Sequence, residues 1–490
     1  MNLGFPQPLI AVIIPIIGAV IIRILDEKNA SARHAVAVAS VSIVFLSVVT
    51  MLPPALSGAL IEFRLVELLD GMGILFRVDK LGMVFGLVSS TLWVFATVYS
   101  IGYMAHEHEQ RNYFVFFVLS CSAAMGVAFA GNLFTLYIFY EYLAICTYPL
   151  VVHAGTAESV RAGIKYISYS LGGGALVLLS IFMIHDLVGT LDFVSGGILG
   201  SVSPEKATML KVIFYLLIAG FGTKAAIMPL HSWLPGAMVA PTPVSALLHA
   251  VAIVKAGVFG ITRVFFSLYG RELLLDLNVT GIVAVIISFT IIVGSLMAIK
   301  QKVLKLRLAY STIGQLGYIS LGVLLLSEAG ITGGIIHIIN HAILKITLFF
   351  CAGMIITVTG RKNIDQLHGI GRQMPLTMMA FAIGSLGLMG VLPTCGYISK
   401  YYLLIGSLDA GLPVFAYVIL TSSLLNAIYY LPIIMNAFFK KGEFKRQQGP
   451  EAPMTMLVPT VTLAALAIFF GIFANYTTIP FIEAVVATIF

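Results

Sequence analysis

The stretch Ala219–Arg263, AGFGTKAAIMPLHSWLPGAMVAPTPVSALLHAVAIVKAGVFGITR, places Lys224, His249 and Lys255 inside sequence that otherwise reads as membrane. A charged side chain at the centre of a bilayer costs about 2.5 to 3.5 kcal/mol even on lenient insertion scales, so these lysines must face water or a partner and not lipid. Between them stand Pro229, Pro235, Pro241 and Pro243, which remove backbone donors and break helices. Broken backbone at membrane depth is tolerated only where it lines a cavity or is buried in protein. Lysine combined with breakage predicts an ion path.

The remaining sequence fits that reading. The 490 residues are 59% hydrophobic and 10% charged, whereas soluble domains carry roughly a quarter charged residues. A polytopic membrane protein is expected. The formal net charge of +7 comes from basic residues in short loops, which reads as orientation in the membrane and does not support nucleic-acid binding. No basic residue precedes the first apolar run, so that run is expected to be a permanent anchor and not a cleaved signal. Cys121, Cys146, Cys351 and Cys395 lie in apolar stretches without CxxC spacing and read as small core residues.

Taking about 20 apolar residues as one crossing, the chain divides into fourteen spans, centred near residues 15, 42, 92, 121, 143, 173, 219, 254, 287, 316, 345, 391, 425 and 467. The segment IEFRLVELLDGMGILFRVD between the second and third spans alternates as a short surface hairpin does. Of the 28 basic residues, 17 fall in loops after odd-numbered spans, Lys445 and Arg446 among them, and seven on the opposite side. The positive-inside rule then puts the odd loops in the cytoplasm and both termini outside. The last four, Lys224, Lys255, Lys345 and Lys400, lie within spans. Exposing all four to lipid would cost on the order of 10 kcal/mol, comparable to a whole protein's net stability, so a hydrated interior path is the cheaper solution. The seventh span joins Lys224 to a break at Pro229, and the twelfth, GLMGVLPTCGYISKYYLLIG, joins Lys400 to a break at Pro393. Five spans separate them, so the two units sit in opposite orientations, the pattern of an inverted repeat with discontinuous helices.

Glu141 is the acidic residue placed deep within a span. Paired with a lysine it either makes burial tolerable or acts as a switch, because a nearby carboxylate favours the charged amine and its withdrawal favours proton release. His337, His341 and Lys345 in HIINHAILKITLFF are spaced by four and share one helix face, as a proton relay requires. Two other readings stand beside the relay. HxxxH is also metal-ligand spacing, although Ile338 stands where zincin helices carry Glu. Histidines on different helices are also the haem ligands of a cytochrome b, which an absorbance spectrum decides. His249 and Lys255, six residues apart on a continuous helix, would point about 120° apart and serve different neighbours. Ser245, Tyr318 and Ser320 are suited to carry water or to bind helix to helix. Trp233, beside His231, reads as a membrane-interface anchor.

The run GTKAAIMPLHSWLPGAMVAPTPVSALLHAVAIVKAG, the segments KQKVLKLRLAYSTIGQLGYISLG and HIINHAILKITLFFCAG, and MGVLPTCGYISK occur in this order. Together they resemble the antiporter-like subunit family shared by respiratory complex I, Mrp-type cation/proton antiporters and membrane-bound hydrogenases, over residues 75 to 440. The resemblance implies an all-α fold of about fourteen transmembrane helices with two inverted five-helix repeats, broken helices 7 and 12, and a central hydrophilic axis. The chain then divides into 1–110 (helices 1–3 with the hairpin), 111–270 (helices 4–8), 271–440 (helices 9–13) and 441–490 (helix 14). By motif position Glu141 looks like the family's fifth-helix glutamate and Lys224 like its seventh-helix lysine. Lys255 with His249 fall on the eighth helix, Lys345 with His341 and His337 on the eleventh, and Lys400 on the twelfth. The twelfth-helix position is glutamate in one complex I branch, from which Lys400 departs. The chain ends soon after its fourteenth span, so a member without the long lateral helix is expected. FYEYLAICTYPLVVHAGT is similar to Mrp D-type subunits, while HIINHAILK is similar to A-type and complex I patterns.

The expected function is proton translocation, in exchange for sodium or another monovalent cation, by one subunit of a larger complex in the cell's inner membrane. The alternative is a pumping subunit of a complex I-like oxidoreductase or an energy-converting hydrogenase. The partners expected are other membrane subunits, with no cofactor and no metal of the chain's own. Glu141 and Lys224 form the expected switch, Lys255, His249, His337, His341 and Lys345 the relay, and Lys400 the gate toward the outside. A scaffold whose charges only anchor neighbouring subunits is the reading from a different class.

Overall fold

The computed structural model describes residues 6–105, 107–442, 444 and 450–489. Lys445, Arg446 and the first five residues, used above for orientation and for the anchor, lie outside the described residues. Among the described residues the regular structure is helical apart from one two-stranded hairpin. In order, the helices are α1 (Gln7–Ile24), α2 (Ala30–Leu56), α3 (Lys80–Met104), α4 (Gln110–Ala128), α5 (Leu133–Val151), α6 (Ala157–Val188), α7 (Ala207–Lys224), α8 (Trp233–Gly236), α9 (Thr242–Ala250) and α10 (Ile253–Arg263). After these come α11 (Arg271–Leu277), α12 (Thr280–Lys300), α13 (Leu304–Leu324), α14 (Glu328–Thr359), α15 (Pro375–Met389), α16 (Gly396–Asp409), α17 (Pro413–Phe439), α18 (Met454–Ile472) and α19 (Thr478–Val486).

Helix starts follow local chemistry. Asn29, Asp79, Asn132, Thr156 and Ser327 each accept a backbone N–H of the first turn through the side chain, satisfying one of the donors a helix start leaves orphaned. α6 and α14 end on Gly189 and Gly360 in the left-handed conformation that favours glycine.

The hairpin expected between the second and third spans is present. Strands β1 (Ile61–Leu69) and β2 (Met72–Val78) pair antiparallel around Asp70–Gly71, with Leu69 opposite Met72, the two-residue Asp-Gly connection that matches strand twist. Arg77 ties it down through Glu62 at 2.7 Å and the Phe193 carbonyl at 2.8 Å.

Among the described residues, twelve helical segments are long and apolar enough to cross a membrane. α13, which carries Lys305, Arg307, Ser311, Thr312 and Gln315, and the pair α15 and α16 are not among those twelve. Burial is graded. The segment Thr242–Tyr269 is enclosed along its whole apolar window, and α14 is nearly so. α1, α12 and α17 turn large side chains such as Ile24, Val285, Phe289, Tyr417 and Leu424 outward, the surface that lipid or neighbouring subunits cover. The four cysteines are buried and free, as core residues are.

Both expected breaks are found. α7 stops at Lys224, and the chain crosses Ala225–Pro241 with only the short α8 and a 3-10 turn before α9 begins. α15 stops at Met389 and α16 starts at Gly396. The Met228–Pro229 and Leu392–Pro393 peptides in these breaks are both cis. A third break was not expected. Val251 and Ala252 interrupt the helix between α9 and α10, so His249 and Lys255 do not sit on one continuous helix and the 120° relation between them does not hold.

Candidate functional site

The four lysines assigned to spans are all buried, Lys400 the least at 5% exposed, and they lie in three settings that differ in what surrounds the amine.

In the first setting, Lys224 at the end of α7 meets Glu141 on α5. Its Nζ lies 3.5 Å from Glu141 Oε1, donates to the Tyr140 carbonyl and sits 3.3 Å from the centroid of the Tyr140 ring. Among the described residues Glu141 Oε2 has no hydrogen-bond partner. The carboxylate fits because residue 174 on α6 is glycine, where a Cβ would come within 2.5 Å of Oε1. The run Gly172–Gly174 gives no titratable signal in the sequence, and its role appears only once α6 is seen against Glu141. Trp233 is fully buried, and its Nε1–H donates to the Thr223 carbonyl at 2.8 Å. The tryptophan therefore is not an interface anchor; it serves the last turn of α7 beside Lys224, because a buried indole N–H needs an acceptor.

The second setting is the middle of the molecule. Lys255 Nζ and both ring nitrogens of His249 and of His341 are buried and without a hydrogen-bond partner among the described residues. The His249 ring packs on Phe349 at 5.0 Å and His341 lies 5.9 Å from the His337 ring. A buried polar atom left unpaired costs about 1 to 3 kcal/mol. Water is the partner that satisfies such groups where no protein atom does.

In the third setting, every lysine hydrogen is provided for. Lys345 Nζ donates to the Leu308 carbonyl, Ser311 Oγ and Tyr430 Oη at 2.9, 2.8 and 3.2 Å. Lys400 Nζ donates to the Leu388 and Met389 carbonyls and Ser423 Oγ at 2.7, 3.0 and 2.9 Å, with the Tyr318 ring at 5.3 Å. Three acceptors match the three donors of an ammonium group. His337 binds Gln315 Oε1 at 3.0 Å and Ser399 Oγ at 2.8 Å, so it reaches the residue next to Lys400. α13 thus touches both His337, through Gln315, and Lys345, through Leu308 and Ser311, as side chains on one face of α14 require. Ser245 and Ser320 bond to the carbonyls of Ala240 and Leu316 and make no link between titratable groups among the described residues.

Sequence reasoning missed Ser311, Gln315, Ser399, Ser423, Asn426 and Tyr429. The signal available was the polar spacing in TSSLLNAIYY of α17, where Ser423, Asn426 and Tyr430 recur at helical intervals inside an apolar run.

Two cavities bracket the centre. One of about 600 Å³ is lined by Tyr103, His108, His153, Thr242, Lys305 and Lys362 and reaches the first residue of α9. Lys305 Nζ donates to the Ala240 carbonyl at 2.8 Å in its wall. The other, about 300 Å³, lies beside the hairpin and is lined by Arg77, Asp79 and Arg263 among others, reaching the last residue of α10. The enclosed segment from α9 to α10, carrying His249 and Lys255, therefore runs from one cavity to the other.

A many-helix membrane protein with interrupted helices and a row of buried amines and imidazoles at its core is the class that this geometry defines. The chain belongs to the NADH:quinone oxidoreductase/Mrp antiporter membrane family, whose model matches residues 130–426. The model for the N-terminus of complex I chain 5 matches residues 72–114. Among curated proteins, the chain is 30% identical over 485 residues to NADH-quinone oxidoreductase subunit N of Desulforudis audaxviator, covering 95% of each. It is also 30% identical over 514 residues to the A1 subunit of a Na(+)/H(+) antiporter of Staphylococcus aureus, with 98% of this chain aligned to 63% of that one. The A/B subunit of a probable K(+)/H(+) antiporter of Rhizobium meliloti is 29% identical, and the chain spans 48% of its length. The fold matches a chain of the Mrp complex from a Dietzia species at TM-score 0.89 and 21% identity, covering 100% of this chain and 98% of that one. It also matches a chain of the archaeal membrane-bound sulfane sulfur reductase at TM-score 0.88 and 24% identity, covering 98% and 97%.

Proposed function

We propose that this chain is an antiporter-like subunit of a multi-subunit membrane complex and moves protons across the bilayer, exchanging them for sodium or another monovalent cation. The observation that carries this reading is the enclosed, interrupted segment α9–α10, which holds Lys255 between two cavities that each carry charged residues in their walls, with Lys224 and the Lys345 and Lys400 cages buried in the same molecule. Lys224 holds its proton while Glu141 is near and releases it when the carboxylate moves away. The proton crosses the centre through water contacting Lys255, His249, His341 and Lys345, and leaves by way of His337, Ser399 and Lys400. Each proton moved exchanges about 2.3 kcal/mol per 100 mV with the membrane potential.

The same reading makes α13 and the pair α15–α16 the crossings that bring twelve to fourteen. It places the broken segments in two inverted repeats spanning 111–270 and 271–440, flanked by 1–110 and 441–490, and sets both termini outside the inner membrane. FYEYLAICTYPLVVHAGT is the segment that favours a D-type Mrp subunit. The 95% mutual coverage with an NADH-quinone oxidoreductase subunit N favours a second reading, a pumping subunit of a redox-driven complex. Iron-sulfur or nickel-iron subunits copurifying with the chain select that second reading, and small hydrophobic partners alone select the Mrp type.

The test is proton flux in liposomes holding the purified complex, wild type against Lys224→Met. Gly174→Ala provides a graded variant of the same test. Its added methyl would lie 2.5 Å from Glu141 Oε1, so the carboxylate must move from its present place beside Lys224, and a displacement of about 1 Å in a reacting pair lowers rate by up to about a hundredfold. Flux at the wild-type rate in Gly174→Ala would separate the pair from the transport step.

A further inference from the structure

We propose that Asn426 on α17 is a positioning residue that couples Lys345 to Lys400 through a hydrogen-bonded line along which no proton can pass. The inference rests on the transport reading above and assigns a part to Asn426 and Tyr429, two residues of α17 that bond directly to neither lysine.

The line is continuous. Lys345 Nζ lies 2.8 Å from Ser311 Oγ, Ser311 Oγ lies 2.8 Å from Tyr429 Oη, and Tyr429 Oη lies 2.6 Å from Asn426 Oδ1. On the other side of the amide, Asn426 Nδ2 donates to the Leu388 carbonyl at 3.1 Å, and the same carbonyl accepts from Lys400 Nζ at 2.7 Å. Asn426 is 1% exposed and Tyr429 1%, so solvent does not compete for these bonds. Ser423 Oγ, one turn away on α17, is a further acceptor of Lys400. From Ser423 to Tyr430 the helix rises about 10 Å, so one face of α17 spans the interval between the two amines.

Donor and acceptor rules fix which way the amide faces. The Leu388 carbonyl can only accept, so the amide nitrogen of Asn426 must face it and the amide oxygen must face Tyr429. That oxygen can only accept, so Tyr429 donates to it. Tyr429 Oη is also placed to donate to Ser311 Oγ at 2.8 Å, so its one proton is shared between Asn426 Oδ1 and Ser311 Oγ. Ser311 Oγ accepts from Lys345 Nζ on its other side. An amide accepts on one atom and donates from another, so a proton arriving at Oδ1 is not handed on from Nδ2. The line transmits position and charge between the lysines while the proton itself must take the His337–Ser399 side.

The experiment compares Asn426→Leu, Asn426→Asp and wild type in liposomes containing the whole complex, with assembly checked by size exclusion. Asn426→Leu keeps the branching at Cγ and the number of side-chain heavy atoms but removes both bonds. Asn426→Asp keeps an acceptor for Tyr429 and, as a neutral carboxylic acid, a donor for the Leu388 carbonyl. The expected order is flux near wild type for Asn426→Asp and about a tenfold loss for Asn426→Leu. A packing role alone gives the reverse order, because leucine fits a buried site and a carboxyl group does not. Full flux in Asn426→Leu, or equal loss in both variants, overturns the proposal. Should Asn426→Leu fail to assemble, Tyr429→Phe removes one hydroxyl from the same line and must show the same loss. A Lys224→Met control in parallel separates the two claims: if it retains flux the transport reading itself falls, and if it is inactive while Asn426→Leu is normal only the coupling falls.

Discussion

Lys224→Met is expected to reduce proton flux through the reconstituted complex by about a hundredfold or more, the scale on which a positioned proton-transfer group acts, while the complex assembles normally. Among the described residues the amine is the one cation that Glu141 meets, at 3.5 Å. Methionine keeps most of the volume and the apolar stem but has no proton to give. Breaking a buried ion pair by removing one partner commonly costs about 3 to 5 kcal/mol. Here the cost is reduced because the Glu141 side chain is 12% exposed and water can reach the remaining carboxylate. Glu141→Gln removes the other half of the pair, and in it Lys224 keeps its bond to the Tyr140 carbonyl. Both single variants and the double variant should be inactive to the same degree, since the pair acts as one switch. Additive losses would mean that the two residues act separately, and wild-type flux in Lys224→Met would remove the switch from the account.

The second large effect is expected at Lys345. Lys345→Met should abolish flux on the same scale and leave the fold intact, because its three acceptors keep other partners. Ser311 Oγ and Tyr430 Oη lie 2.9 Å apart and bond to each other, and the Leu308 carbonyl also accepts from Thr312 Oγ1 at 3.0 Å. Lys345→Arg is the informative companion. It keeps the positive charge but holds its proton at any accessible pH, so an inactive arginine variant shows that proton exchange is required, and an active one that charge alone suffices. Unchanged thermal unfolding in detergent, measured beside flux, separates chemistry from collapse.

Much of this organisation was legible in the sequence, for identifiable reasons. Lys224, Lys255, Lys345 and Lys400 stood out because an amine in an apolar run has few physical explanations. The hairpin was readable from alternation and the Asp70–Gly71 turn, and the breaks near Pro229 and Pro393 from the chemistry of proline. The interruption at Val251–Ala252 was not readable, since both residues are ordinary in a membrane helix and nothing local marks the stop. Trp233 was misread because tryptophan's frequency at membrane interfaces outweighs any sequence sign that its N–H serves a helix end. Asn426, Tyr429 and Ser311 were passed over because neutral polar residues commonly bind membrane helices to one another, and their link to two lysines exists only once α13, α16 and α17 are packed. Gly174 carries no chemistry of its own and acquires a function only through the carboxylate that occupies its missing side chain's space.

The central claim is that the groups on either side of the molecule form a single proton path joined at Lys255. Proton flux through the assembled complex carrying Lys255→Leu tests it most directly, because Lys255 Nζ makes no hydrogen bond to the described protein atoms and leucine therefore breaks none. The account predicts a complex that assembles and melts as the wild type does and passes no protons above the leak of empty liposomes. Flux at the wild-type rate in that variant would contradict it.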